Sequence, residues 1–197
     1  MRYPNTAFIQ KKLAVHDLLS DVPLLDVWEI ILEGGGGGRT MADVRAMLIA
    51  ADPAELNPLA RFLFALRARM GQWFGWDAPP DAPQIVPPGS YLHRLPDALR
   101  AASETEPGEV LGPVRVLYQL PEEWLAETIN ATTHAFLHFS LHPAPEGHYR
   151  AYLAVYAQHG AWWSRYYMAL IEPFRLWVVY PSVIRFLAAR WRATYAR

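Results

Sequence analysis

Cysteine is absent from the 197 residues. That excludes a disulfide framework, thiolate metal sites and thiol catalysis, and it fits a reducing compartment. Lysine is nearly absent too, with only Lys11 and Lys12 among 18 basic residues. The net charge of -1 lacks the footprint of a nucleic-acid binder, so no nucleic-acid partner is expected. No long apolar run is present. The most apolar stretch, Leu176–Ile184, is too short to span a bilayer and is flanked by Arg175 and Arg185. The opening MRYPNTAFIQKKLAVHD has neither the apolar stretch nor the small-residue site of a signal peptide. The expectation is a soluble, cytoplasmic protein.

What is present argues for a folded chain: 52% hydrophobic and 19% charged residues, at a length that suits a single domain spanning 1–197. Asp21 to Leu32 is rich in valine, isoleucine and leucine, which predicts a strand across its second half. Gly34 to Gly38 is a loop without the ending of a phosphate loop or the spacing of a dinucleotide fingerprint. Thr40, with Asp43 three residues on, predicts a helix start, and Met41, Val44, Met47 and Leu48 supply its stripe. Asn57-Pro58 opens a second helix carrying Leu59, Phe62, Leu63, Leu66, Met70, Trp73 and Phe74. Residues 77–113 hold eight prolines and read as a long connection with one short helix near 96–102. Such a connection is either a lid or interaction segment, or a plain surface excursion.

From Val114 the period changes to two, predicting consecutive strands at 114–120, 124–130, 132–141 and 149–158. Helical spacing returns at about 162–195, with Trp163, Tyr167, Leu170, Phe174, Trp177, Pro181, Ile184, Ala188 and Trp191 on a stripe. Pro173 and Pro181 should kink that helix. One sheet face must be covered by it.

Histidine recurs at every fourth position in His134, His138 and His142. On a helix these would share a metal; on a strand, at about 3.3 Å per residue, neighbours in the series lie about 13 Å apart. Alternation favours the strand. Ala135, Leu137, Phe139 and Leu141 make one apolar face; His134, Phe136, His138, Ser140 and His142 make a mixed face, as in a half-buried strand. No metal is expected. Glu122 and Glu123 read as a solvated turn, Glu127 has no nameable partner, and Ser140 and Ser164 have no identifiable base. His93-Arg94 is an exposed loop pair or part of a lid, and His16, His148 and His159 are surface or turn residues. The C-terminal helix carries six arginines against Glu172, interleaved with tryptophans, so it either packs as core or lies on an anionic membrane surface.

Two segments, Asn57-Pro-Leu-Ala-Arg-Phe-Leu-Phe-Ala-Leu-Arg67 and Arg165-Tyr-Tyr-Met-Ala-Leu-Ile-Glu-Pro-Phe174, carry a resemblance. The chain resembles a bacterial domain-of-unknown-function family, found alone or fused to short-chain reductase domains. That family is similar to the START/polyketide-cyclase (SRPBCC) helix-grip superfamily. In the family's His-Leu-Asp-Phe-Arg strand, His134 matches the histidine, while Phe136 and His138 stand at the acid and arginine positions. The family's Gly-Arg before the last helix corresponds to Ser164-Arg165, which leaves His134 and Arg165 as the candidate polar site.

The resemblance implies an α+β fold: an antiparallel sheet wrapped on a long, proline-kinked C-terminal helix, with two helices after the first strand and a cavity between sheet and helix. The cavity walls would be Leu137, Phe139 and Leu141 from the strand, Tyr167, Leu170, Phe174 and Trp177 from the helix, and Tyr118 and Tyr152. The alternative is that these residues fill a solid core. The implied function is binding of an apolar small molecule or lipid, with no cofactor. The alternatives are a cyclase- or dehydratase-type enzyme using a pocket histidine or tyrosine, and an accessory domain for a short-chain reductase or a membrane surface.

Overall fold

A computed structural model describes residues 1–50, 86–129, 133–159, 172–173 and 175–195. The predicted helix opened by Asn57-Pro58 and the first part of the C-terminal helix lie outside these residues. The chain begins with two short helices, α1 (Asn5–Ile9) and α2 (Val15–Leu18), and then the strand β1 (Leu24–Leu32). Helix α3 (Met41–Ile49) follows the glycine loop. A 3-10 turn at Tyr91–Arg94 and α4 (Asp97–Ala102) lead into β2 (Val110–Leu111), β3 (Val114–Gln119), β4 (Glu123–Ile129), β5 (Thr133–Pro143) and β6 (Tyr149–His159). The last element is α5 (Tyr180–Tyr195), entered through a π-helical turn at Arg175–Val179. No helix among the described residues is long and apolar enough to cross a membrane.

The six strands form one antiparallel sheet in the order β1-β6-β5-β4-β3-β2. Consecutive pairing of β2 to β6 needs only short turns, as expected for a meander. β1 closes the far edge against β6, and the N-terminus reinforces it: Tyr3 N–H donates to the Val27 carbonyl and Glu29 N–H to the Met1 carbonyl, both at 2.8 Å.

Register assigns the faces. His138 opposes Leu125 and Ala154, and Phe139 opposes Trp124 and Leu153. On the Phe139 face α3 and α5 pack over Ile30, Leu141, Leu153 and Val155, with Leu187 and Trp191 inserted from α5. On the His138 face α1, α2 and the Tyr91–Arg94 turn cover Tyr118, Leu125, Phe136, Tyr152 and Tyr156. The sheet is therefore covered on both sides.

That corrects the expectation of a half-buried strand. Phe136, His138 and Ser140 on the mixed face are all fully buried. Alternation separated the two faces correctly but did not show that short N-terminal helices would close the second one.

Pro181 sits one residue into α5, directly after a π-helical turn. Lacking an N–H, it cannot complete the regular ladder at the start of α5, and the preceding turn widens to π geometry over Arg175–Val179. The phase shift separates Trp177, 80% exposed, from the buried stripe of Tyr180, Leu187 and Trp191. Trp177 is thus not a wall of the interior.

Candidate functional site

α3 is held in place at its first turn. Thr40 Oγ1 accepts from Ala42 N–H at 3.3 Å, Asp43 Oδ2 accepts from Thr40 N–H at 2.9 Å, and Met41 N–H donates to the Pro121 carbonyl at 2.8 Å. The last bond ties the helix to the β3–β4 turn. Met41, Arg45, Leu48 and Ile49 then fall on adjacent turns of one helical surface. Facing them are Leu111, Gly112 and Val114 of the β2–β3 hairpin, whose tight turn needs Gly112 at φ 58°. Trp124 and Phe139, cross-strand partners on β4 and β5, close the floor with ring centroids 6.1 Å apart. Between these walls lies a cavity of about 330 Å³.

Its lining is almost wholly apolar. The charged member is Arg45, which pairs through Nη2 with Glu109 Oε1 on the segment leading into β2. Two buried donors of residues that line it, Arg45 Nε and Trp124 Nε1, have no hydrogen-bond partner among the described residues.

The opposite face holds a second, polar constellation. Glu123 is buried. Its Oε1 accepts from Ala14 N–H at 2.9 Å, and its Oε2 from Val15 N–H at 3.4 Å, Tyr118 Oη at 3.1 Å and His138 Nε2 at 3.2 Å. Burial pushes the Glu123 carboxyl up, but the hydrogen bonds from His138, Ala14 and Tyr118 outweigh it and hold the carboxyl below its ordinary value. Burial lowers His138, with Glu123 opposing. The His138 Nδ1 has no partner among the described residues, which suits a neutral ring donating from Nε2. Burial, then the nearby Glu123, raises Tyr118 well above its ordinary value.

Glu127 forms a parallel arrangement four residues along β4. It accepts from Ser90 Oγ, from Tyr91 N–H at 3.0 Å and from His134 Nε2 at 2.9 Å. His134 stacks on Phe136 at 4.3 Å and meets the edge of Tyr91 at 5.4 Å. Each of these two histidines thus has its own carboxylate. No group of three or more His, Cys, Asp or Glu able to hold a metal ion is found among the described residues.

The residues singled out in the sequence divide between these places. Phe139 lines the cavity; Leu141 is buried beside it and Leu137 packs at the edge of the same cluster. Tyr118 and Tyr152 lie on the other face, so they cannot share a cavity with Phe139; strand register separates them. His134 is on that other face as well. Tyr167, Leu170, Phe174 and Arg165 lie outside the described residues. Glu123, expected in a solvated turn, is instead a buried acceptor of four donors, because β4 begins at that residue and turns its side chain inward.

Met41, Arg45, Leu111 and Trp124 were not anticipated as site residues. The helical stripe of α3 and the alternation of β4 carried part of the signal. Their meeting depends on how α3 folds back over the sheet.

No curated protein and no solved structure matches the chain. A family model described as protein of unknown function (DUF2867) matches residues 18–182, which include all six strands and the cavity lining. Since that match spans most of the sequence, the chain belongs to the DUF2867 family.

Proposed function

We propose that this domain binds an apolar small molecule or lipid between α3 and the β2–β5 part of the sheet. The observation that carries this is the cavity of about 330 Å³, bounded by Met41, Leu48, Leu111, Val114, Trp124 and Phe139. Its size falls at the lower end of small-molecule sites, which run from about 300 to 1,000 Å³. An antiparallel sheet with a C-terminal helix across one face supports the helix-grip likeness as part of the same proposal. Among the described residues, the seat proposed for the ligand lies under α3.

The test is a titration of the purified protein with 1-octanol, followed through the methyl resonances of Met41, Leu111 and Val114. Saturable shifts at these methyls are expected, and they should disappear in Val114→Trp, which fills the cavity. Native mass spectrometry should show a co-purified apolar ligand lost in the same variant. Shifts spread over the whole surface, or none, would overturn the proposal.

A second function is favoured by one observation: His134 is oriented by a buried carboxylate, as a general acid/base needs. A cyclase- or dehydratase-type reaction would then occur on the His134 face, away from the cavity. Substrate turnover lost in His134→Gln with octanol binding intact would establish it. A peripheral membrane or reductase contact would use the exposed Trp177, and flotation with anionic vesicles lost in Trp177→Ala is its test.

A further inference from the structure

We propose that the ligand of the α3 cavity is an amphipathic monoanion, a carboxylate on an apolar chain, with Arg45 as the residue that recognises its head. This rests on the cavity being a binding site.

Arg45 is the charged group in an otherwise apolar lining. It projects from the middle of α3, between Met41 one turn before and Leu48 and Ile49 one turn after, so an apolar chain against that helix surface passes its guanidinium. Arg45 has five N–H donors. Glu109 engages Nη2, and the buried Nε donor has no acceptor among the described residues. An unsatisfied N–H of a charged group is costly, and a carboxylate is the acceptor that matches the guanidinium fork. A neutral chain leaves this chemistry unused.

Glu109 has the opposite role. It sits before β2 while Arg45 sits on α3, so their ion pair joins the two walls of the cavity. Both side chains are partly exposed, at 25% and 33%, and the pair is therefore weak enough to exchange. A ligand carboxylate competes with Glu109 for the same guanidinium. The pair acts as a clasp that an anionic head replaces and an uncharged head does not.

The experiment compares octanoate with 1-octanol, one chain with two heads, by the same methyl resonances in wild type, Arg45→Met and Glu109→Gln. Octanoate is expected to bind about tenfold more tightly than octanol in wild type, the order of one charge-assisted hydrogen bond. Arg45→Met should remove the preference while keeping octanol binding. Glu109→Gln should widen it, because the competitor for Arg45 is gone. Equal binding of the two probes in wild type, or a preference that survives in Arg45→Met, overturns the proposal and leaves the cavity as a neutral-ligand site. Failure of both probes to bind overturns the binding site itself, a distinct result.

Discussion

Glu123 Oε2 and His138 Nε2 lie 3.2 Å apart across neighbouring strands, enclosed beneath α1 and α2. Phe8 of α1 presents its ring to His138 at 5.8 Å, and the backbone N–H groups of Ala14 and Val15 close on the Glu123 carboxylate. A residue pair inside the sheet thus anchors the segment that seals it.

Because burial lowers His138 from its ordinary 6.5, the unfolded chain takes up a proton before the folded one does. Stability is full above that value and is lost as pH falls toward the folded pKa. His142, also lowered by burial and then by Lys11, adds in the same direction, and His16 faces the same region. Urea unfolding should show stability declining below about pH 6.5, each proton contributing up to about 1.4 kcal/mol per pH unit. In His138→Leu the slope between about pH 6.5 and 5 should be shallower. An unchanged slope would show that His138 titrates normally.

Replacing Glu123 removes the shared acceptor of Ala14, Val15, Tyr118 and His138. Glu123→Ala should cost about 3 kcal/mol, since four donors are left without it. Glu122→Ala, at the exposed neighbour, should stay within about 0.5 kcal/mol. Chemical denaturation of the two variants checks the contrast.

The glycine loop divides in the same way. Gly35 has φ 110°, and a Cβ there would lie 2.8 Å from Trp191 Cζ2. Gly35→Ala should destabilise by about 2 kcal/mol through strain and overlap. Gly37 has open space around it and no left-handed φ, so Gly37→Ala should be neutral or slightly stabilising. Thermal unfolding of both variants distinguishes a packed loop from a merely permissive one.

Trp191 and Trp177 make a further pair. Trp191 is fully buried, donates from Nε1 to the Gly34 carbonyl at 3.2 Å and meets Tyr149 edge-on at 5.5 Å. Trp191→Ala should cost about 3–5 kcal/mol. Trp177→Ala should change stability by less than about 0.5 kcal/mol. Equal costs would mean that α5 packs in a different phase.

Local pattern determined a good deal of this protein. Period-two alternation located β3 to β6 to within two residues at each end, and the Thr40 cap located α3, because both signals are written in neighbouring side chains and backbone chemistry. The strand reading of His134, His138 and His142 followed from the same alternation. What covers each face was decided only by the tertiary fold. Glu123 and Glu127 became buried partners of histidines because α2 and the Tyr91 turn close over β4, contacts more than 30 residues distant in sequence. The cavity likewise needs α3, the β2–β3 hairpin, Trp124 and Phe139 together. Alternation states which residues share a face; it contains no information on whether water, a helix or a ligand lies above it.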